Sequence, residues 1–213
     1  MSGPPIFDAA FQQQLEVLMA WRRDVRRFRQ DPVPEALIDH LLDLAQLAPS
    51  VGNSQPWRFF RVESAEKRAA VKANFAACNA EALAEQSNER AALYARLKLE
   101  GIDVAPVQFA LFCDRTTSQG HGLGSRTMPE ALDYSVVGMI AGLWLAARAA
   151  GLGLGWVSIL DPEKIRADLG APGPYKFIGY LCIGWPDEEH DTPELVRRGW
   201  QDRTSAGRNC VLV

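Results

Sequence analysis

The chain has 213 residues, 47% hydrophobic and 23% charged, with a formal net charge of −3 at pH 7. This is the composition of a globular chain with one core, and it excludes extensive disorder. The acidic balance excludes a general attraction to nucleic acid, so any anion site must be a local cluster of Arg or Lys.

Phe7, Phe11, Leu15 and Leu18 recur at helical spacing and predict a first helix ending near Trp21. No basic segment followed by an apolar stretch precedes it. A signal peptide is therefore not expected, and the expected location is cytoplasmic. Next comes Arg22-Arg23-Asp24-Val25-Arg26-Arg27-Phe28. Guanidinium forks match phosphate oxygens, so this run is a candidate phosphate site. Its competing reading is a solvated helix end, where cations favour the C-terminal dipole.

Pro32 and Pro34 open a second helix with the apolar face Leu37, Ile38, Leu41, Leu42 and Ala45. It must stop before Pro49. The turn from Ala48 to Trp57 carries Ser50, Asn53, Ser54 and Gln55, side chains able to meet the edge of a heteroaromatic ring. It reads equally as an ordinary polar turn.

Trp57 to Val62 is aromatic-rich and predicts a strand. Residues 65–100 favour helix but are weakly apolar. The polar stretch within about 80–100 is expected to be a mobile cover, or lid. Val107 to Cys113 predicts a second strand, and 115–127 a glycine-containing loop. The segment from Pro129 to Ala150 is apolar nearly all round, which predicts a central helix or one shared with a second subunit. Its most apolar part, Val136 to Ala150, is bounded by Asp133 and interrupted by Arg148, and falls short of the ~20 apolar residues of a membrane span.

Gly151, Gly153 and Gly155 do not make a dinucleotide fingerprint. Position 156 is Trp, and the run follows a helix where the fingerprint must follow a strand. They are expected to cap the helix and turn into a strand from Trp156 to Leu160. Ser158 is the one hydroxyl of that strand, with hydrogen bonding to backbone as its plainer role. Asp161-Pro162-Glu163 signals a helix start, and Phe177 to Ile183 a fourth strand. From Asp187 onward the tail is polar and is expected to wrap another surface, such as a second protomer. One domain over 1–213 accommodates all of this, with a lid at about 80–100 and a tail at about 187–213. Cys78, Cys113, Cys182 and Cys210 have no zinc or disulfide spacing, His40, His121 and His190 no metal spacing, and no GxSxG elbow occurs.

Taken together, RRDVRRF, DPVP before a helix, LAPSVGNSQPWRFF, Ala105-Pro106 before a strand, the long apolar helix and GLGLGWVSIL resemble the FMN-dependent nitroreductase-like flavoproteins. The likeness runs from about Val17 to Pro186. It implies an α+β fold with a mainly antiparallel sheet flanked by helices, in an intertwined homodimer with FMN at the interface. It places Arg22, Arg23, Asp24, Val25, Arg26, Ser50, Asn53, Leu99 and Ser158 against the flavin, with Leu99 in the cover. Family members that reduce nitro compounds carry a serine where this chain has Asp24. With Ser158 and the polar cover, that difference implies that reduced FMN is the substrate and O2 the co-substrate. Asp24 and Ser158 would be the catalytic pair. Reducing equivalents would come ultimately from NAD(P)H, through a separate flavin reductase. An NAD(P)H-dependent nitroreductase or flavin reductase, and a non-catalytic flavin-binding module, are the alternatives. Arginines would lower the pKa of Asp24 and burial would raise it; sequence leaves the balance open.

Overall fold

The computed structural model describes residues 3–86, 88–94, 97 and 101–211. The helices are α1 (Ala9–Trp21), α2 (Glu35–Ala45), α3 (Ala65–Ala84), α4 (Asn88–Tyr94), α5 (Gly101–Val104), α6 (Ala131–Ala149), α7 (Pro162–Leu169) and α8 (Glu194–Arg197). Four strands, β1 (Trp57–Arg61), β2 (Val107–Asp114), β3 (Gly153–Val157) and β4 (Tyr175–Gly184), form a sheet in the order β1-β2-β4-β3. Every pairing is antiparallel, as the α+β reading requires.

The sheet is sandwiched. All eight residues of β2 are buried, so both of its faces are covered. Phe109 and Leu111 point into a core shared with Ile38 and Leu41 of α2 and Met139, Ile140 and Leu143 of α6. Ala110 and Phe112 point the other way, toward Val71 of α3 and Ile165 of α7. Asn74, buried in α3, ties the two outer helices together. Its Nδ2 donates to the carbonyl of Asp161 at 3.1 Å, and its Oδ1 accepts from the Asp161 amide at 2.8 Å. Asp161 also caps α7, accepting from the amides of Glu163 and Lys164, while Gly170 closes that helix in the left-handed region.

β3 starts and ends three residues earlier than its aromatic and β-branched residues suggested. Gly153 and Gly155 are strand residues, and they are glycines because residues 24–28 lie flat against them. A Cβ on Gly155 would sit 2.2 Å from the carbonyl oxygen of Val25. Ser158 therefore falls just past the strand and is exposed.

α6 matches the expected long helix and is the one helix among the described residues with the length and apolarity to cross a membrane. It lies on the sheet through Leu132, Val136, Met139, Ile140, Leu143 and Ala147. Its opposite stripe, Tyr134, Val137, Gly138, Ala141 and Gly142, is exposed, although apolar and small. α1 buries no residue at all, yet carries Phe11, Val17, Met19 and Trp21 at 37% exposure or more. Within the tail, residues 187–194 lie along the arginine run of their own chain.

Candidate active site

The arginine run is not a helix end in solvent. Arg22 leaves α1 with extended backbone, and residues 24–28 dock along the free edge of β3. The Val25 amide donates to the carbonyl of Leu154 at 3.1 Å. One ladder position further on, a side chain replaces the backbone: Asp24 Oδ1 accepts from the Trp156 amide at 3.0 Å. Indole Nε1 of Trp144, in α6, donates to the carbonyl of Arg23 at 3.1 Å and pins the segment from the other side.

Asp24 thus has a fixed position. Oδ2 takes a 3.2 Å hydrogen bond from Arg26 Nε, and the side chain stays 36% exposed along one edge. Burial is the largest influence on its pKa and raises it. The Trp156 amide and Arg26 act in the opposite direction, the charge of Glu194 adds to the rise, and the net direction is upward. Of the two opposing influences foreseen, burial prevails. A carboxylate whose proton affinity is raised in this way is a stronger base than a free one.

The four arginines have separate roles. The Arg22 guanidinium lies over the Trp144 ring, 4.7 Å from its centroid, and faces an open cavity of about 380 Å³. Met19, Val137, Ala141, Trp144, Leu145 and Trp156 complete the lining of that cavity, which is aromatic and aliphatic with one cation at its rim. Arg23 donates to the carbonyls of Asp191 and Arg22. Arg26 is shared between Asp24 and Glu194. Arg27 meets Glu188 and Glu194. Trp144, Trp156 and Glu194 were absent from the sequence-derived site. The two tryptophans carried a signal, since aromatic residues beside small ones on α6 and β3 suit a planar ring.

Ser50 and Asn53 lie elsewhere. Ser50 Oγ accepts from the Gln55 amide at 3.0 Å, and Asn53 has a φ of 54°, in a turn where Gly52 also has positive φ. This turn is fastened to the start of α6, the Val51 amide donating to Ser135 Oγ at 3.0 Å. Arg22 and Asp24 sit at the other end, by Trp144. Nine residues of helix, about 14 Å at ~1.5 Å per residue, separate Ser135 from Trp144. The structure brings Asp24, Val25 and Ser158 to one edge of β3, with Arg22, Arg23 and Arg26 beside them, and leaves Ser50 and Asn53 of the same chain apart. Leu99 lies outside the described residues. Of the cover, α4 is held by Tyr94, whose hydroxyl donates to Asn79 Oδ1 at 3.0 Å, and by Trp200, which meets the Tyr94 ring at 6.0 Å.

An aromatic groove with a guanidinium at its rim suits a planar ring that carries an anionic group. Residues 19–185 match the model of the Nitroreductase family. The 5,6-dimethylbenzimidazole synthase of Rhodospirillum rubrum is 58% identical over 203 residues, covering 95% of this chain and 96% of that protein. The protein of the same name from Rhodobacter capsulatus is 50% identical, covering 92% of this chain and 95% of that one. The structure of oxidized iodotyrosine deiodinase bound to FMN and 3-iodo-L-tyrosine superposes with a TM-score of 0.70 at 22% identity, covering 83% of this chain and 91% of that one; it attests the fold. With a family match over most of its length and relatives identical at half their positions or more, the chain belongs to the nitroreductase family.

Proposed function

We propose that the chain has 5,6-dimethylbenzimidazole synthase activity, the oxygen-dependent fragmentation of reduced FMN to 5,6-dimethylbenzimidazole and erythrose 4-phosphate. This would supply the lower ligand of cobalamin. The relatives at 58% and 50% identity over nearly their whole length carry that name. The observation that carries the mechanism is the Asp24 carboxylate, fixed on the Trp156 amide with its proton affinity raised by burial.

The residues present fit FMN. Arg22, at the rim of the groove, and Arg23 would hold its phosphate, and Trp144 and Trp156 would wall its ring. Reduced FMN, when bound, supplies the electrons with which oxygen is reduced. Asp24 acts as general base on the ribityl carbon attached to the ring, where removing a proton starts cleavage of the sugar tail. Val25 lines the approach to that carbon. Ser158, exposed two residues beyond the Trp156 amide, would donate a hydrogen bond to the ring. The segment around α4 would close over the site and exclude water, so that the slow proton transfer is not lost to side reactions with solvent.

The working form is a cytoplasmic homodimer. Its support is the apolar stripe of α6 and the exposed apolar residues of α1, surfaces that a monomer would leave in water. The ~14 Å between the two candidate clusters points the same way. Ser50 and Asn53 from the second copy would complete the site that Arg22 and Asp24 begin. Reducing equivalents would come from NAD(P)H through a separate flavin reductase.

The test supplies reduced FMN and air and measures 5,6-dimethylbenzimidazole by mass spectrometry. The wild-type chain forms it. Asp24→Asn keeps an oxygen for the Trp156 amide and binds flavin, but forms no product. Product at the wild-type rate from that variant would remove Asp24 from the mechanism.

A further inference from the structure

Glu194 opens α8 behind Pro193, and its side chain is only 7% exposed. A carboxylate so far out of water must be paired. Three guanidiniums meet it: Arg27 Nη2 and Arg198 Nε at 3.4 Å, and Arg26 Nε at 3.8 Å. Arg26 Nε is also 3.2 Å from Asp24 Oδ2. One guanidinium edge therefore stands between two carboxylates, one belonging to the proposed reaction and the other reaching in from the C-terminal segment.

We propose that Glu194 is a positioning residue: by sharing Arg26 with Asp24, it fixes that guanidinium at the edge of β3 and limits how far Arg26 neutralises the Asp24 carboxylate. The inference rests on the reading of Asp24 as the base. A sole partner at 3.2 Å would draw the full charge of Arg26 and make Asp24 a weak base; a second carboxylate divides that charge. The groups facing Asp24 allow the assignment. Its own segment contributes Arg26, α8 contributes Glu194, and β3 offers only the Trp156 amide. Cys182 of β4 lines the same small pocket, but its thiol is pushed well up by burial and stays neutral. Arg23, Arg148, Glu188, Glu189, His190 and Arg197 line, with Asp24, the larger crevice beside it, and none of these six is among the contacts described for Asp24. The charge of Glu194 is thus the acidic one that raises the proton affinity of Asp24.

The experiment compares Glu194→Gln, Glu194→Asp and Asp24→Asn with wild type, measuring kcat/KM for reduced FMN against pH, alongside Tm. The amide of Glu194→Gln keeps the size, loses the charge, and turns an N–H toward Arg26, which then falls to Asp24 alone. The acid limb of kcat/KM, which reports the base of the free enzyme, moves to lower pH by about half a unit. The plateau drops about twofold as the base weakens. Glu194→Asp moves the limb back toward wild type. A fall in Tm with the acid limb in place would make Glu194 merely structural and overturn the proposal, as would superimposable profiles. A dead Asp24→Asn beside an unshifted Glu194→Gln sinks this inference alone. An active Asp24→Asn removes the base itself and this inference with it.

Discussion

Replacing Gly155 with alanine tests the placement of Asp24 without touching Asp24. The added Cβ would stand 2.2 Å from the Val25 carbonyl oxygen, and separations under 3.0 Å are not tolerated, so β3 and residues 24–28 must part by at least about 0.8 Å. Neither side gives easily. β3 is paired along its length with β4, and residues 24–28 are held by the 3.1 Å bond from Val25 to Leu154 and the 3.0 Å bond from Trp156 to Asp24. A displacement of that size takes both bonds to nearly 4 Å, outside hydrogen-bonding range. Losing them costs about 1 kcal/mol each, and overpacking adds about 1 kcal/mol or more. The sum of about 3 kcal/mol lowers Tm by roughly 6–12 °C in a chain of this size. Displacement of the base by nearly an ångström lowers the rate about a hundredfold. The assay is the initial rate of 5,6-dimethylbenzimidazole formation from reduced FMN under air, with Tm from thermal unfolding. Gly207→Ala, where a Cβ meets nothing within 4 Å, is the control and behaves as wild type. A Gly155→Ala variant with wild-type rate and Tm would refute the claim that this contact sets the position of Asp24.

Three further outcomes follow from other parts of the molecule. Asp133 has a 9% exposed side chain bridging Arg115 and Lys176; Asp133→Ala leaves two half-exposed cations to water and lowers stability by about 1 kcal/mol, read from denaturant unfolding. Burial pushes the Asp133 pKa up, but hydrogen bonds from Arg115 and Lys176 outweigh it and hold the carboxyl below its usual 3.8. Its share of the stability is therefore present above that value and lost as the pH falls through the lower folded-state pKa, and the Ala variant lacks this acid-dependent loss. Val137→Glu places a charge in the exposed α6 stripe, where Val137 is 42% exposed; sedimentation should find a folded monomer, and a dimer of wild-type stability would refute the proposed interface. Thiol titration of the native protein should reach Cys210 quickly and Cys78 slowly, while Cys113, buried and pushed up to about 12, and Cys182 react only on unfolding.

Local chemistry made much of this fold readable. The Asp161-Pro162 start of α7, the apolar face of α2 and the aromatic strands all follow from neighbours a few residues apart, and they stand where their patterns put them. β3 was displaced because its glycines answer to Val25, more than a hundred residues upstream, and no local preference encodes that approach. The arginine run announced a charge site but not its division of labour. Whether a guanidinium faces a cavity, as Arg22 does, or a carboxylate from the far end of the chain, as Arg26 does, depends on how residues 187–200 fold back. Glu194 was unreadable for the same reason, as one acid in a polar tail whose burial exists only in three dimensions. The separation of Ser50 and Asn53 from Asp24 likewise follows from the length of α6 and not from any motif.

That separation has a genetic counterpart. Under the proposed dimer, in which each centre draws on two chains, a copy altered at Asp24 and a copy altered at Asn53 would both be inactive alone. Co-expressed, they form mixed dimers in which one of the two centres carries neither lesion, so activity reappears. Two lesions on a single chain, paired with themselves, can never recover it.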